Sequence, residues 1–209
     1  MLLEAERALI VHHAGRLRPD GLVVGTAGNL SVRTGDLVAI TPSSIDYDEL
    51  DPGLICVVGL DGEIVDAERA PSSELPMHLA VYRGTDAAAI VHTHAPYATT
   101  LSAVVDELPA IHYTIAELGG PVRVAQYATF GTDELAGSVM DALHGRSAVL
   151  LGSHGTLTVG YSLEQAYWHS VLLEWLATLY YRATLFGEAR LLPREEIELV
   201  ADRLRAIQS

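Results

Sequence analysis

What most limits the fold of this chain is how its short apolar runs are joined. Leu30–Arg33 and Leu37–Ile40 are too close for anything but a hairpin, and Ile55–Val58 runs into an Asp61-Gly62 turn. Ala148–Leu151 and Thr156–Val159 flank the turn Gly152-Ser153-His154-Gly155. Between these runs lie segments with helical apolar spacing: 2–17, a helix opening after Ser72-Ser73-Glu74, 97–105, 132–144, 162–184 and 193–206. Ala87–His94, Ala110–His112 and Val122–Ala125 read as further strands. Interleaved helices and strands make the class α/β. Frequent hairpins fit a mixed sandwich, a central mostly antiparallel sheet flanked by helices, better than a doubly wound parallel sheet. No repeat divides the 209 residues, so one domain over 1–209 is expected.

Composition narrows the function. A net charge of -14 disfavours nucleic acid and anionic membranes, so neither is expected as a partner. No apolar run reaches the roughly 18 residues of a membrane span. The first residues, MLLEAERALIVHH, carry acid where an export signal carries base. The single cysteine, Cys56, forms no internal disulfide and no cysteine-based metal site. These features suit a reducing cytoplasm.

Chemistry is suggested first by Ala89-Ile90-Val91-His92-Thr93-His94-Ala95-Pro96, where two histidines end an apolar strand. Strand residues i and i+2 share a face about 6.5 Å apart, so His92 and His94 project together. Such a pair supplies two of zinc's four ligands, or is simply two surface histidines. His154 lies in a glycine-flanked turn that lets its ring point inward, or leaves it exposed. Ser72-Ser73-Glu74 opens a helix with a serine as the expected cap. Its free amides and dipole would suit an anion, although an ordinary capped helix has the same pattern. Gly25-Thr26-Ala27-Gly28-Asn29 and Thr41-Pro42-Ser43-Ser44 are also small and hydroxyl-rich. Three such turns in an acidic chain suggest phosphate held by neutral donors.

Together these segments resemble the class II aldolase and adducin superfamily, in particular sugar-phosphate aldolases of the L-fuculose-1-phosphate type. The resemblance runs through GTAGNLSVR (25–33), ITPSSIDYDEL (40–50), PSSE (71–74), AIVHTHAPYAT (89–99), PAIHYTIAELGG (109–120), YATFGTDEL (127–135) and LLGSHG (150–155). It implies that His92, His94 and His154 bind one Zn2+ per subunit, with Glu74 a fourth ligand and the catalytic carboxylate. It implies phosphate contacts from Gly28, Asn29, Ser43, Ser44, Ser72 and Ser73, and a proton donor to the aldehyde oxygen in Tyr113. It further implies a homotetramer with sites between subunits. Two departures stand out. The family usually has glycine where Ser44 stands, so a positive φ there would be strained. The family's tail also supplies a tyrosine, and none follows the last predicted helix here.

The implied reaction is cleavage of a ketose 1-phosphate, such as L-fuculose 1-phosphate, to dihydroxyacetone phosphate and a short aldehyde. The chain has no lysine, so a Schiff-base aldolase mechanism is excluded. Rival readings on the same fold are a methylthioribulose-1-phosphate dehydratase and a pentulose-5-phosphate 4-epimerase. The epimerases typically carry aspartate where Glu74 stands. A non-catalytic, zinc-stabilised interaction domain is the remaining alternative; structural zinc sites are usually closed by four protein ligands.

Overall fold

The computed structural model describes residues 1–208. Nine strands form one sheet: β1 (Asn29–Thr34), β2 (Leu37–Ile40), β3 (Cys56–Gly59), β4 (Ile64–Asp66), β5 (Ala89–Thr93), β6 (Glu107–Leu108), β7 (Val122–Ala125), β8 (Ala148–Leu151) and β9 (Gly155–Gly160). Their order is β4-β3-β2-β1-β5-β9-β8-β7-β6. Every neighbouring pair is antiparallel except β7 and β8. The expected mixed, mostly antiparallel sheet is therefore present.

Six α-helices cover both faces. On one side lie α1 (Glu4–Leu17), α3 (Pro96–Ser102), α5 (Leu163–Thr184) and α6 (Arg194–Gln208). On the other lie α2 (Leu75–Gly84) and α4 (Asp133–Leu143). The strand period of two divides the apolar residues between these layers. In β5, Ala89 and Val91 pack into the first core and Ile90 into the second. Because β5 is the middle strand and is covered on both faces, it reads as an unbroken apolar run. Its polar end is the exception that positions the site. The C-terminal end of β5 lies beside the start of β1, with Asn29 opposite His92, and beside the start of β9.

Local differences from the sequence reading have local causes. The strand expected at Ala110–His112 is absent; Glu107–Leu108 pairs with β7 instead. His112 caps an unforeseen 3-10 helix, Tyr113–Leu118, by accepting from the Thr114 amide. The helix expected over 97–105 stops at Ser102, ahead of the β-branched pair Val104-Val105. No described helix is long and apolar enough to cross a membrane.

Candidate active site

The site forms where three chain segments end together. His92 is the penultimate residue of β5, His94 follows the strand, and His154 sits in the β8–β9 turn. Their rings meet edge to face with centroids 4.9–5.0 Å apart. Gly155 permits this approach. A Cβ there would collide with the Thr93 carbonyl and come within 2.9 Å of the His94 ring. Gly28 has φ +82°, and a Cβ would lie 2.7 Å from the His92 carbonyl. Each glycine thus lets the backbone press against the histidine strand.

Glu74 enters from the start of α2, with Oε2 2.9 Å from His92 Nε2 and Oε1 3.3 Å from His154 Nε2. The four side chains place one potential ligand atom each within 4.8 Å of one another. His92 Nδ1–H donates to the Thr156 carbonyl at 2.7 Å, so neutral His92 presents a lone pair at Nε2. That nitrogen is 3.0 Å from His94 Nε2. Lone pairs of imidazoles and a carboxylate therefore converge. Glu74 Oε1 is buried with no hydrogen-bond partner, a condition that costs about 1–3 kcal/mol, more for a charged group. A cation removes both penalties. A tetrahedral zinc shell of 2.0–2.1 Å radius spaces ligands roughly 3.3 Å apart, close to the distances seen. The donor set fits a metal.

Electrostatics agree. Burial favours a neutral Glu74, but attraction to His92 and His154 when they carry a proton, together with the Asn29 amide, outweighs it and holds the carboxyl well below the usual range, so the site favours positive charge beside this carboxylate. Burial, with the neighbouring His92 and His154, pushes His94 down to about 4, and burial also lowers His154. Glu74, His94 and His154 are thus biased towards the deprotonated forms that bind metals.

A cleft of about 330 Å³ opens over this centre, lined by Glu74, His94 and His154 at one end and by Gly28, Ser43, Ser44, Ser72 and Ser73 at the other. Asn29 also lines it and donates to Glu74 Oε2 at 2.9 Å. Eleven residues were singled out from sequence, and only Tyr113 lies apart. It is exposed on the 3-10 helix, stacked on His112 at 4.5 Å, and does not line the cleft of its own chain.

The phosphate end differs in detail from the sequence reading. No serine side chain caps α2; Glu74 occupies the cap position. The amides of Leu75, Met77 and His78 are taken by the carbonyls of Ser72 and Glu74. The helix terminus therefore offers fewer free donors than expected. The amides of Ser44 and Ser73 make no hydrogen bond among the described residues; the Ser72 hydroxyl accepts from the Glu74 amide and can still donate, and the Ser43 and Ser44 hydroxyls lie 3.4 Å apart. Ser44 has φ +55°, the strain expected where the resembled family has glycine.

Several residues at this end escaped the sequence reading. The Tyr47 hydroxyl, 3.0 and 2.8 Å from the carbonyls of Ala27 and Gly28, pins the glycine turn. Tyr127 and Phe130 form the cleft mouth. All three fall inside the segments that carried the resemblance, but nothing in their spacing marks them.

The profile of the family described as Class II Aldolase and Adducin N-terminal domain matches residues 8–181. The chain is 43% identical over 206 residues to the 5-deoxy-D-ribulose 1-phosphate aldolase of Bacillus thuringiensis serovar kurstaki, covering 97% of each chain. It is 41% identical to the 5-methylthioribulose-1-phosphate/5-deoxyribulose-1-phosphate aldolase of Rhodospirillum rubrum, covering 88% of this chain and 84% of the relative. A solved L-fuculose 1-phosphate aldolase superimposes with a TM-score of 0.95 at 42% identity, covering 98% of both chains. With a histidine and carboxylate cluster able to hold a metal ion, this chain belongs to the class II aldolase and adducin family, among its aldehyde-lyases.

Proposed function

We propose that the protein is a zinc-dependent aldolase that cleaves a 5- or 6-deoxyketose 1-phosphate between C3 and C4. The observation that carries this reading is the orphaned, buried Glu74 oxygen among three imidazoles, beside a cleft that is also lined by neutral donors. A divalent ion held by His92, His94 and His154 would supply Lewis acidity to the substrate carbonyl. Three neutral imidazoles leave that ion its full charge, which suits Lewis acidity better than a thiolate-rich set.

The chain's own residues carry the rest. Ser43, Ser44, Ser72 and Ser73, with the turn at Gly28, hold the phosphate by hydrogen bonds without a cationic side chain. Glu74 moves the proton on C3 of the dihydroxyacetone phosphate half. Its carboxylate lies between the metal ligands and the serine cluster, within reach of both. Tyr113, exposed and outside its own chain's cleft, serves a neighbouring subunit's aldehyde oxygen in a homotetramer. Its position is what a site shared between subunits requires.

Glutamate rather than aspartate at position 74 favours cleavage over epimerisation. The end-to-end match to a 5-deoxy-D-ribulose 1-phosphate aldolase makes that ketose the first substrate to test, with L-fuculose 1-phosphate second. The metal-loaded protein is incubated with each, and products are identified. The five-carbon substrate should give dihydroxyacetone phosphate and acetaldehyde, and the six-carbon one lactaldehyde. A pentulose epimer or a dehydrated ketone instead would replace this reading with one of its rivals.

A further inference from the structure

Behind Glu74 runs a line of buried polar side chains that the aldolase reading leaves without a role. The Tyr82 hydroxyl is 2.7 Å from Ser31 Oγ, and Ser31 Oγ is 2.6 Å from His78 Nδ1. His78 Nε2 is 2.6 Å from Asn29 Oδ1, and Asn29 Nδ2 is 2.9 Å from Glu74 Oε2. Ser31, His78 and Tyr82 are at most 1% exposed. Strand β1 turns Asn29 and Ser31 to the α2 side of the sheet, because Leu30 and Val32 fill the opposite core. Helix α2 contributes His78 and Tyr82 one turn apart, on the face that meets them.

The direction of each bond follows from the carboxylate. An ionised Glu74 only accepts, so Asn29 must give it an N–H. The amide oxygen of Asn29 then faces His78 and needs a donor, so neutral His78 carries its proton on Nε2. Its Nδ1 accepts from Ser31, and Ser31 accepts from Tyr82. A side-chain amide reads the same to sterics either way round. Without His78 it could flip and set its oxygen against the Glu74 oxygen. The chain therefore has one polarity, and His78 is the member that transmits it to the amide.

We propose that His78 is a positioning residue: through Asn29 it holds the Glu74 carboxylate at the metal site in one orientation. This rests on the aldolase reading only for its catalytic consequence. The placement of Glu74 among the ligands is testable without any substrate.

The test compares two carboxamides of different reach. In His78→Gln the amide extends to where Nε2 stands and can still donate to Asn29. In His78→Asn it stops where Nδ1 stands, keeps the Ser31 bond and leaves Asn29 without a donor. Both stay polar, and in both the Ser31 hydroxyl keeps its bond with Tyr82. Each is loaded with cobalt in place of zinc, and the visible absorption is recorded, together with metal content and turnover. His78→Asn should shift the cobalt bands in the manner of Glu74→Gln and lose about 10–100-fold in turnover, the usual scale for partners that orient metal ligands. His78→Gln should keep the native bands and stay well above His78→Asn in turnover. In a Glu74→Gln background, the difference between the two His78 variants should vanish. Identical cobalt spectra for the two variants, whether both active or both impaired, would overturn the proposal. If the native protein cleaves neither ketose, the aldolase reading fails while the cobalt comparison still decides this one.

Discussion

Two carboxylates sit in sheltered positions on this molecule, and their surroundings could hardly differ more. Glu174 lies on α5 and accepts hydrogen bonds from the amides of Tyr97 and Ala98, at 2.9 and 2.8 Å, at the start of α3. Both of its oxygens are matched by donors that cannot leave. Burial raises its pKa, and the two amides only partly pull it back. Glu74 has one oxygen shared between Asn29 and His92 and one with no hydrogen bond at all. Its charge is favoured all the same, because imidazoles face it. The contrast separates a carboxylate whose partners are complete within the chain from one that requires something else. Completeness marks structure, and a standing deficit at a cleft marks function.

The sharpest way to break the contrast is to remove the deficit's other half. His92→Ala leaves two imidazoles, and elemental analysis should find most of the metal gone. Full occupancy would mean that Glu74 and its neighbours do not form the metal site. Next in size is Glu74→Gln, which keeps reach but not basicity. Turnover should fall by roughly 10²–10⁴-fold while the three histidines retain the metal. If metal leaks away and excess metal restores activity, Glu74 is only a ligand.

Acid should expose the polar chain behind Glu74. Burial, with the nearby His92, pushes His78 down to about 3, below its ordinary 6.5. Between those values the unfolded chain takes up a proton that the folded chain refuses. Stability is therefore intact above pH 6.5 and falls on acidification at about 1.4 kcal/mol per pH unit. His94 and His154, also lowered, add to this slope, so the urea unfolding free energy of the metal-free protein should fall at least this steeply from pH 7 to 5, and His78→Gln should reduce the slope by about 1.4 kcal/mol per pH unit.

The satisfied carboxylate predicts a smaller effect of a different kind. Glu174→Ala should cost about 1–2 kcal/mol of stability, the scale of a lost helix cap, and leave metal content unchanged. Loss of metal in that variant would mean that α3, which begins just after His94, is part of the site's support. Smallest is Ser44→Gly. Relief of the left-handed strain, less the added freedom of the unfolded chain, should stabilise by about 0.5–1 kcal/mol, read as a raised thermal midpoint. Weaker retention of inorganic phosphate in the same variant would show that the hydroxyl is used.

Much of this was legible in the sequence, for reasons that are local. Short apolar runs and close hairpins declared a mixed sheet, and the segment of β5 could be read as an apolar strand, although its central place came only with the fold. His92 and His94 stand two apart at the end of an apolar strand, so half of a metal site is written in three residues. Ser44 carried its strain openly, because a residue with a Cβ stands in a glycine's turn. What needed the fold was everything that depends on which ends meet. Ala110–His112 has strand composition, yet β7 pairs with Glu107–Leu108, and only register decides between neighbours. His154 joins His92 because β9 pairs with β5, and Glu74 joins them because α2 packs on that face of the sheet. Nothing in its spacing marks His78. Its role exists only because a turn of α2 sets it against Asn29, a residue 49 positions earlier, in a core too dry for an unpaired nitrogen. Periodicity assigns a residue to a face; hydrogen bonds between distant segments depend on how the faces dock, and that is settled by packing alone.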